Sequence, residues 1–133
     1  MSEVFADTFF FLALANPNDG AHERVLPAYE DSLGRLVTTE YVLVEVGDGL
    51  SRKAHRSYFL DLVDLLENQP GAMVVPAAPA LFRRGLALFR SRPDKDWPLT
   101  DCISFVVMRE RGIDEALTAD RHFEQAGMKA LLR

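Results

Sequence analysis

Three acidic residues of the chain stand where a predicted strand or helix meets a loop. Asp7 follows a short apolar run at residues 4–6, Asp120 follows a predicted strand at once, and Asp101 opens the most apolar predicted helix. Several carboxylates that lie close together cannot all stay ionised without a compensating charge. Such a density of hard oxygen ligands suits Mg²⁺ or Mn²⁺, and a cation of this kind can activate water for the hydrolysis of a phosphodiester. The acids therefore predict metal-dependent phosphodiester hydrolysis, provided that the fold brings them together.

A fourth acid, Glu45, lies in the middle of an otherwise apolar predicted helix. Because an unpaired glutamate is rarely buried, we expect its carboxylate to point into the same cluster. Pairing with Arg52 or Lys53 is the alternative. For Asp101 the alternative is a favourable interaction with the helix dipole, and for Asp7 it is capping of the helix that follows.

The elements that must position these acids follow from the apolar periodicity. Strands are predicted at residues 3–7, 35–39, 73–75, 115–119 and 128–132, and helices at 8–15, 21–33, 40–49, 55–68, 79–90, 100–111 and 121–126. Short strands that alternate with helices pair in parallel through crossover connections. We therefore predict one domain over residues 1–133 in the α/β class, with a mostly parallel central sheet. If the first and fourth strands are neighbours, Asp7, Asp101 and Asp120 share one edge of the sheet.

Some finer features are expected of individual elements. Pro27 should kink the helix at 21–33 or delay its start. The strand at 73–75 should be short and buried. The helix at 79–90 should turn an apolar side towards the core, formed by Leu81, Phe82, Leu86 and Phe89.

The composition restricts the classes of function. With 133 residues, of which 48% are hydrophobic, the chain can bury one core. The single cysteine, Cys102, excludes an internal disulfide and a thiolate zinc cluster. The net charge of −5 argues against non-specific nucleic-acid binding through a basic face, although leaving out four carboxylates committed to a metal would reduce it to −1. No run approaches the roughly 20 apolar residues that span a bilayer, so we expect a cytoplasmic protein without a membrane partner.

Several other side chains have a candidate role. Arg83 and Arg84 are candidates for guiding the phosphates of a substrate, with a solvated helix face as the alternative. Tyr41 and Trp97 are candidates for base stacking, whereas the phenylalanines at 9–11 are expected in the core and a dimer contact.

Some polar residues are assigned a smaller role or none. Asp96 is a candidate for the outer shell of the acid cluster. No catalytic role is expected for the histidines, because no serine or cysteine partner stands in a nucleophile context. They are His22, His55 and His122.

Four segments of the chain together resemble a known family. They are FADT at 5–8, TTEYVLVEV at 38–46, PLTDCISF at 98–105 and LTADRHF at 117–123. In this order and spacing they resemble the PIN domain, and within it they are similar to the VapC-type toxins of toxin–antitoxin systems.

The resemblance implies a Mg²⁺-dependent endoribonuclease, with Mn²⁺ as the alternative ion, that cleaves RNA by metal-activated water and leaves a 5′-phosphate. It implies an α/β/α sandwich. Its implied partners are an RNA substrate, a second copy in a homodimer, and an antitoxin whose tail enters the acidic groove. The catalytic and metal-binding positions that it implies are Asp7, Glu45, Asp101 and Asp120, with Thr8 and Thr118 as polar residues beside them.

Two departures from the family pattern leave other functions open. Phe9 stands where a small or hydroxyl residue is common, and Glu40 stands where a neutral polar residue is common, so Glu40 either adds a ligand or faces solvent. One alternative is a PIN-like module that has lost catalysis and retains RNA or protein binding. The other is a phosphoryl-transfer domain of the receiver type, for which Glu3 lies too early and no lysine directly follows residues 117–119.

Overall fold

The computed structural model describes residues 2–133, so Met1 of the predicted domain lies outside the described residues. Within this range the chain forms seven helices and five strands. In chain order they are β1 (Val4–Ala6), α1 (Thr8–Ala15), α2 (His22–Asp31), β2 (Leu36–Thr39), α3 (Glu40–Gly49), α4 (Arg56–Asn68), β3 (Met73–Val75), α5 (Pro79–Ser91), α6 (Leu99–Arg111), β4 (Glu115–Leu117), α7 (Arg121–Gln125) and β5 (Lys129–Ala130). None of the helices between residues 2 and 133 is long and apolar enough to cross a membrane.

The strands form a single sheet in the order β3-β2-β1-β4-β5, and every neighbouring pair among the described residues is parallel. Helix α1 packs against α2, α3 and α4, and α5 packs extensively against α6. The predicted α/β class with a parallel central sheet is therefore confirmed. The first and fourth strands are neighbours, with Ala6 opposite Leu117, so the condition for a shared edge is met.

The two central strands are buried from end to end. All three residues of β1 are inaccessible to solvent, as a strand covered on both faces requires. In β2 the burial extends to two threonines whose hydroxyls find partners. Thr38 donates to the carbonyl of Ala6 at 2.9 Å, and Thr39 caps α3 by accepting from the Val42 amide at 3.1 Å. The first bond ties the carboxyl end of β2 to that of β1, and the second fixes the start of α3 at the same edge of the sheet.

An aromatic cluster holds the beginning of α6 beside α7. The Phe105 ring meets Trp97 edge-on at 5.0 Å between centroids, and Phe123 edge-on at 4.9 Å. The Trp97 indole also donates to the Gln125 side chain at 3.0 Å. Since Trp97 is only 3% exposed, the prediction that it stacks on RNA bases is wrong, and its role is to anchor the loop before α6.

The inward side of α5 differs from the prediction. Leu81 and Gly85 face the core, and a Cβ at Gly85 would lie 2.3 Å from Ile103, so the absence of a side chain permits close packing on α6. Phe82 and Phe89 are 36% and 48% exposed, because they lie on the adjacent stripe of the helix. The expectation that both phenylalanines point inward is wrong.

The expected burial of β3 is wrong, since Met73 is 44% exposed on a strand that pairs only with β2. The helix α2 begins at His22 and contains Pro27, so the proline does not delay its start, and the alternative of a kink stays a prediction.

Candidate metal centre

Asp7 and Asp120 each follow a strand and cap the next helix at the same edge of the sheet. Asp7 follows β1 and caps α1, because its Oδ1 accepts from the Phe10 amide at 3.1 Å. Asp120 follows β4 and caps α7, because its Oδ1 accepts from the His122 amide at 2.9 Å. The two strands are parallel neighbours, so the two carboxylates lie close together. Asp7 is therefore both a helix cap and a member of the cluster, and its side chain is 6% exposed.

One hydroxyl links these two acids. The buried Thr118 donates to Oδ2 of Asp7 at 2.5 Å and accepts from the Asp120 amide at 3.0 Å. A threonine hydroxyl has one proton, so the second contact fixes the direction in which that proton points. Thr118 thereby orients the Asp7 carboxylate and positions the backbone of Asp120 at the same time.

Asp101 joins the cluster through His122. It lies in the first turn of α6, and its Oδ2 lies 3.2 Å from Nδ1 of His122. The same nitrogen lies 3.3 Å from Oδ1 of Asp120. One ligand atom from each of Asp101, Asp120 and His122 lies within 4.8 Å of the others. Asp7 borders this group and is close enough for the charges of Asp101 and Asp120 to raise its pKa.

Glu45 reaches the edge of the cluster from α3. Its carboxylate accepts from the Thr8 hydroxyl, and its charge raises the pKa of Asp101. The alternative partners proposed from the sequence, Arg52 and Lys53, do not take this place. Glu45 is exposed, so the expectation that it is a buried acid is wrong, although its place beside Asp101 agrees with the expected cluster.

Burial and mutual repulsion raise the pKa of two of the acids. Burial raises the pKa of Asp7 to about 7, against the lowering effect of the hydrogen bonds from Thr118 and Phe10, and the charges of Asp101 and Asp120 add to the rise. Burial also raises the pKa of Asp101 to about 6, opposed by the hydrogen bond with His122. A carboxylate in such a place is stabilised by a proton or by a bound cation.

The donors of the cluster fit a divalent cation. Carboxylate oxygens are the ligands that Mg²⁺ and Mn²⁺ prefer in proteins, and a mixed set with an imidazole nitrogen is suited to transition metals. The residues that could hold the cation are Asp101, Asp120 and His122. The carboxylates of Asp7 and Glu45 lie near this group.

Other residues singled out in the sequence lie elsewhere or have another partner. The carboxylate of Glu40 accepts from the Ala77 amide at 2.6 Å, so it holds the segment before α5. Asp96 and Arg83 are exposed. Arg84 pairs with Glu110 at 2.7 Å. The two arginines remain a prediction as RNA-binding residues.

His122 is the member of the cluster that sequence reasoning overlooked. Without a serine or cysteine nucleophile the sequence predicts no catalytic role for a histidine, but an imidazole can also bind a metal ion. A usable signal was present, since His122 follows Asp120 by two residues at the beginning of a helix. The contact with Asp101, 21 positions earlier, becomes evident only in the fold.

A model of the PIN domain family matches residues 4–129 of the chain. The chain belongs to this family. The resemblance of the four sequence segments is thus confirmed, and the acids described above lie within the matched part of the PIN domain.

Two curated relatives of this PIN domain come from strains of Mycobacterium tuberculosis, CDC 1551 / Oshkosh and H37Rv. Each is named a 23S rRNA-specific endonuclease, VapC20, and is 28% identical over 131 residues, which is 93% of this chain and 94% of the relative. The crystal structure of Mycobacterium tuberculosis VapC20, described as a toxin that cleaves the sarcin-ricin loop, superposes with a TM-score of 0.87 at 22% identity. The superposition covers 98% of this chain and all of the other, so the PIN domain shares its complete fold with that toxin.

Proposed function

We propose that this PIN domain is a divalent-cation-dependent endoribonuclease, with Mg²⁺ or Mn²⁺ as the ion, and that it is the toxin of a toxin–antitoxin pair. The observation that carries the proposal is the convergence of Asp7, Asp101 and Asp120 at the carboxyl edge of β1 and β4. The catalytic and metal-binding residues proposed are these three and Glu45, supported by Thr8 and Thr118. The intact set of acids counts against a PIN-like module that has lost catalysis.

The side chains of the centre have different tasks. Asp101 and Asp120 hold the cation, and Asp7 and Glu45 complete the negative charge around it. When bound, a divalent cation supplies the positive charge that activates water and offsets charge on the phosphoryl oxygens. Thr118 and Thr8 orient the carboxylates of Asp7 and Glu45. Because Asp7 and Asp101 must give up any proton before the cation binds, its affinity increases with pH through about 6 to 7.

The names of the relatives suggest the first RNA to test. We propose 23S ribosomal RNA as the substrate class, on the ground that the relatives at 28% identity are named for it. Incubation of the purified chain with 23S rRNA, 16S rRNA and transfer RNA, followed by primer extension, should give one dominant cut in the 23S RNA with a 5′-phosphate. Cleavage confined to transfer RNA would reject this substrate and leave the nuclease assignment standing.

Removing the Thr118 hydroxyl should weaken the metal centre without removing a ligand. We expect Thr118→Val to lower Mn²⁺ affinity by about 10–100-fold, as loss of an outer partner does in other metal sites, because Asp7 and Asp120 lose their common anchor. Calorimetric titration with Mn²⁺ measures the change. Thr118→Ser, which keeps the hydroxyl, is the matched control, and equal affinities of the two variants would contradict the role assigned to Thr118.

An apolar groove between α3 and α4 is the proposed site for a segment of the antitoxin. The groove has a volume of about 800 Å³, and Val44 and Leu60 at its border are 64% and 61% exposed. Val44 precedes Glu45 in α3, so the groove borders the helix that carries one acid of the proposed centre.

We expect Val44→Glu to reduce the affinity for a cognate antitoxin at least about tenfold, since burial of such an apolar side chain contributes about 1.5–3 kcal/mol. RNA cleavage by the free toxin should persist. Leu65→Glu is the control, because Leu65 is an exposed apolar residue of α4 that does not line the groove. Biolayer interferometry with the purified antitoxin measures both variants, and an equal loss in both would place the antitoxin elsewhere.

The exposed stripe of α5 is the proposed contact between two copies of the chain. Phe82, Leu86 and Phe89 follow one another at helical spacing, and the two phenylalanines are 36% and 48% exposed. We expect Phe89→Glu to shift a dimer towards the monomer in sedimentation equilibrium, because a charge replaces apolar contact area at the interface. Ala87→Glu, on an exposed part of the same helix outside the stripe, should not change the mass. A monomeric parent chain would reject the homodimer.

The same proposal includes a location and a domain organisation. A toxin that cuts ribosomal RNA acts in the cytoplasm, and we propose that residues 1–133 form one domain. One hydrophobic cluster with members from β1 to Met128 supports this organisation. A single cooperative unfolding transition by calorimetry is expected, and two separated transitions would contradict it.

A further inference from the structure

We propose that Nδ1 of His122 binds the divalent cation directly, and that this nitrogen makes the centre select Mn²⁺ over Mg²⁺. The inference rests on the proposed function, to which it adds a ligand and a selectivity. It concerns a side chain outside the four acids proposed above as the catalytic and metal-binding residues.

The first support is the position of the nitrogen between two carboxylates. Nδ1 of His122 lies 3.2 Å from Oδ2 of Asp101 and 3.3 Å from Oδ1 of Asp120. A charge-assisted hydrogen bond between a nitrogen and a carboxylate is shorter, about 2.7–2.9 Å, and one proton on Nδ1 points at only one acceptor. Adjacent ligands of an octahedral ion lie roughly 3 Å apart, which follows from metal–ligand bonds of about 2.1 Å. The two spacings match neighbouring ligands more closely than they match an optimal ion pair.

The second support is that the backbone and the core hold His122 in this place. Its amide donates to Oδ1 of Asp120 at 2.9 Å, so the same acid is contacted by the amide and by the ring. The next residue, Phe123, is fully buried and packs against Phe105 and Phe5. The imidazole is therefore carried by an anchored backbone, and its side chain is only 19% exposed. Such a preorganised donor loses little freedom when it binds an ion.

The third support is the chemistry of the donor. Mg²⁺ is a hard cation that takes oxygen ligands almost exclusively, whereas an imidazole nitrogen suits transition metals. Mn²⁺ accepts both carboxylate oxygen and imidazole nitrogen. A centre made of two carboxylates and one imidazole should therefore bind Mn²⁺ more tightly than Mg²⁺. Removing the imidazole nitrogen should bring the affinities for the two ions closer together.

Pulsed electron paramagnetic resonance of the full chain loaded with Mn²⁺ tests the ligand without an activity assay. A ¹⁴N nucleus bound to Mn²⁺ modulates the electron spin echo. We expect this modulation in the parent chain, its loss in His122→Asn, and its retention in His55→Asn. The amide of asparagine keeps a polar group near the position of Nδ1. His55 is a matched control because its ring stacks on Tyr58 and it does not belong to the group of Asp101, Asp120 and His122.

Calorimetric titration with Mn²⁺ and with Mg²⁺ tests the selectivity. The dissociation constant for Mg²⁺ divided by that for Mn²⁺ should fall at least about tenfold in His122→Asn. Loss of even an outer partner costs about 10–100-fold in the affinity of a metal site. Mn²⁺ that binds to the parent chain without ¹⁴N modulation would overturn the inference and leave the nuclease proposal intact. Absence of Mn²⁺ and Mg²⁺ binding together with absence of RNA cleavage would overturn both.

Discussion

Replacing Asp7 by asparagine is expected to lower the rate of RNA cleavage by more than about 100-fold. The loss of an outer-shell partner costs about 10–100-fold in metal sites, and Asp7 contributes charge to the centre itself. Its carboxylate is buried and its orientation is fixed by Thr118, so the neutral amide cannot replace its charge. Initial rates of cleavage of a labelled RNA in Mg²⁺ and in Mn²⁺ measure the effect.

The control for this prediction is an acid that is exposed to solvent, unlike the buried Asp7. Asp61 lies exposed on α4, and Asp61→Asn removes the same charge without touching the centre. The rate of this variant should stay within about twofold of the parent rate, because salt screens the interactions of a solvent-exposed charge. Cleavage that survives both Asp7→Asn and EDTA would identify another mechanism or a contaminating nuclease.

The second large effect concerns stability in the absence of metal. The pKa of Asp7 is raised from 3.8 to about 7 in the folded chain, so the folded state keeps a proton that the unfolded state releases above pH 4. The contribution of this proton to the free energy of unfolding is complete below about pH 4 and is lost as the pH rises to about 7. The loss amounts to about 4 kcal/mol for a shift of this size, as an order of magnitude. The proton on Asp101 also stabilises the folded state at low pH. Its contribution is lost by about pH 6, because the pKa of Asp101 is raised only to about 6.

Asp7→Asn isolates this contribution, because the amide does not titrate. The variant and the parent should have similar stability near pH 4, and the variant should be the more stable one at pH 8 in metal-free buffer. Urea unfolding followed by circular dichroism at a series of pH values measures the difference. Parallel curves for the two chains over this range would mean that burial does not raise the pKa of Asp7. Saturating Mn²⁺ should stabilise the parent chain at pH 8, since a ligand that binds only the folded state shifts the equilibrium by mass action.

The sequence predicts the elements best where a side chain marks their beginning. The helices α1 and α3 start and end where expected, and each follows a capping residue at the end of a buried strand, Asp7 after β1 and Thr39 as the last residue of β2. A parallel sheet then places the carboxyl ends of its strands at one edge. For this reason the meeting of Asp7, Asp101 and Asp120 could be inferred from topology before any distance was known.

Predictions failed where the result depends on how one element packs on another. The apolar residues of α5 form two adjacent stripes, and Gly85 decides which stripe faces α6, because only a residue without a side chain permits that approach. Trp97 precedes the acidic centre in the chain, yet its contact with Phe105 turns it into the core. Glu45 lies between apolar neighbours, yet the exposed side of α3 carries it. The spacing of apolar residues identifies the apolar side of a helix, but it does not predict which element packs against that side.

Crystals soaked in Mn²⁺ and measured at a wavelength where manganese scatters anomalously test the central claim most directly. We expect one strong peak roughly 2.0–2.6 Å from carboxylate oxygens of both Asp101 and Asp120, and its loss in crystals of Asp101→Asn. An empty site at a Mn²⁺ concentration that supports RNA cleavage would contradict the proposal that these acids form the nuclease centre.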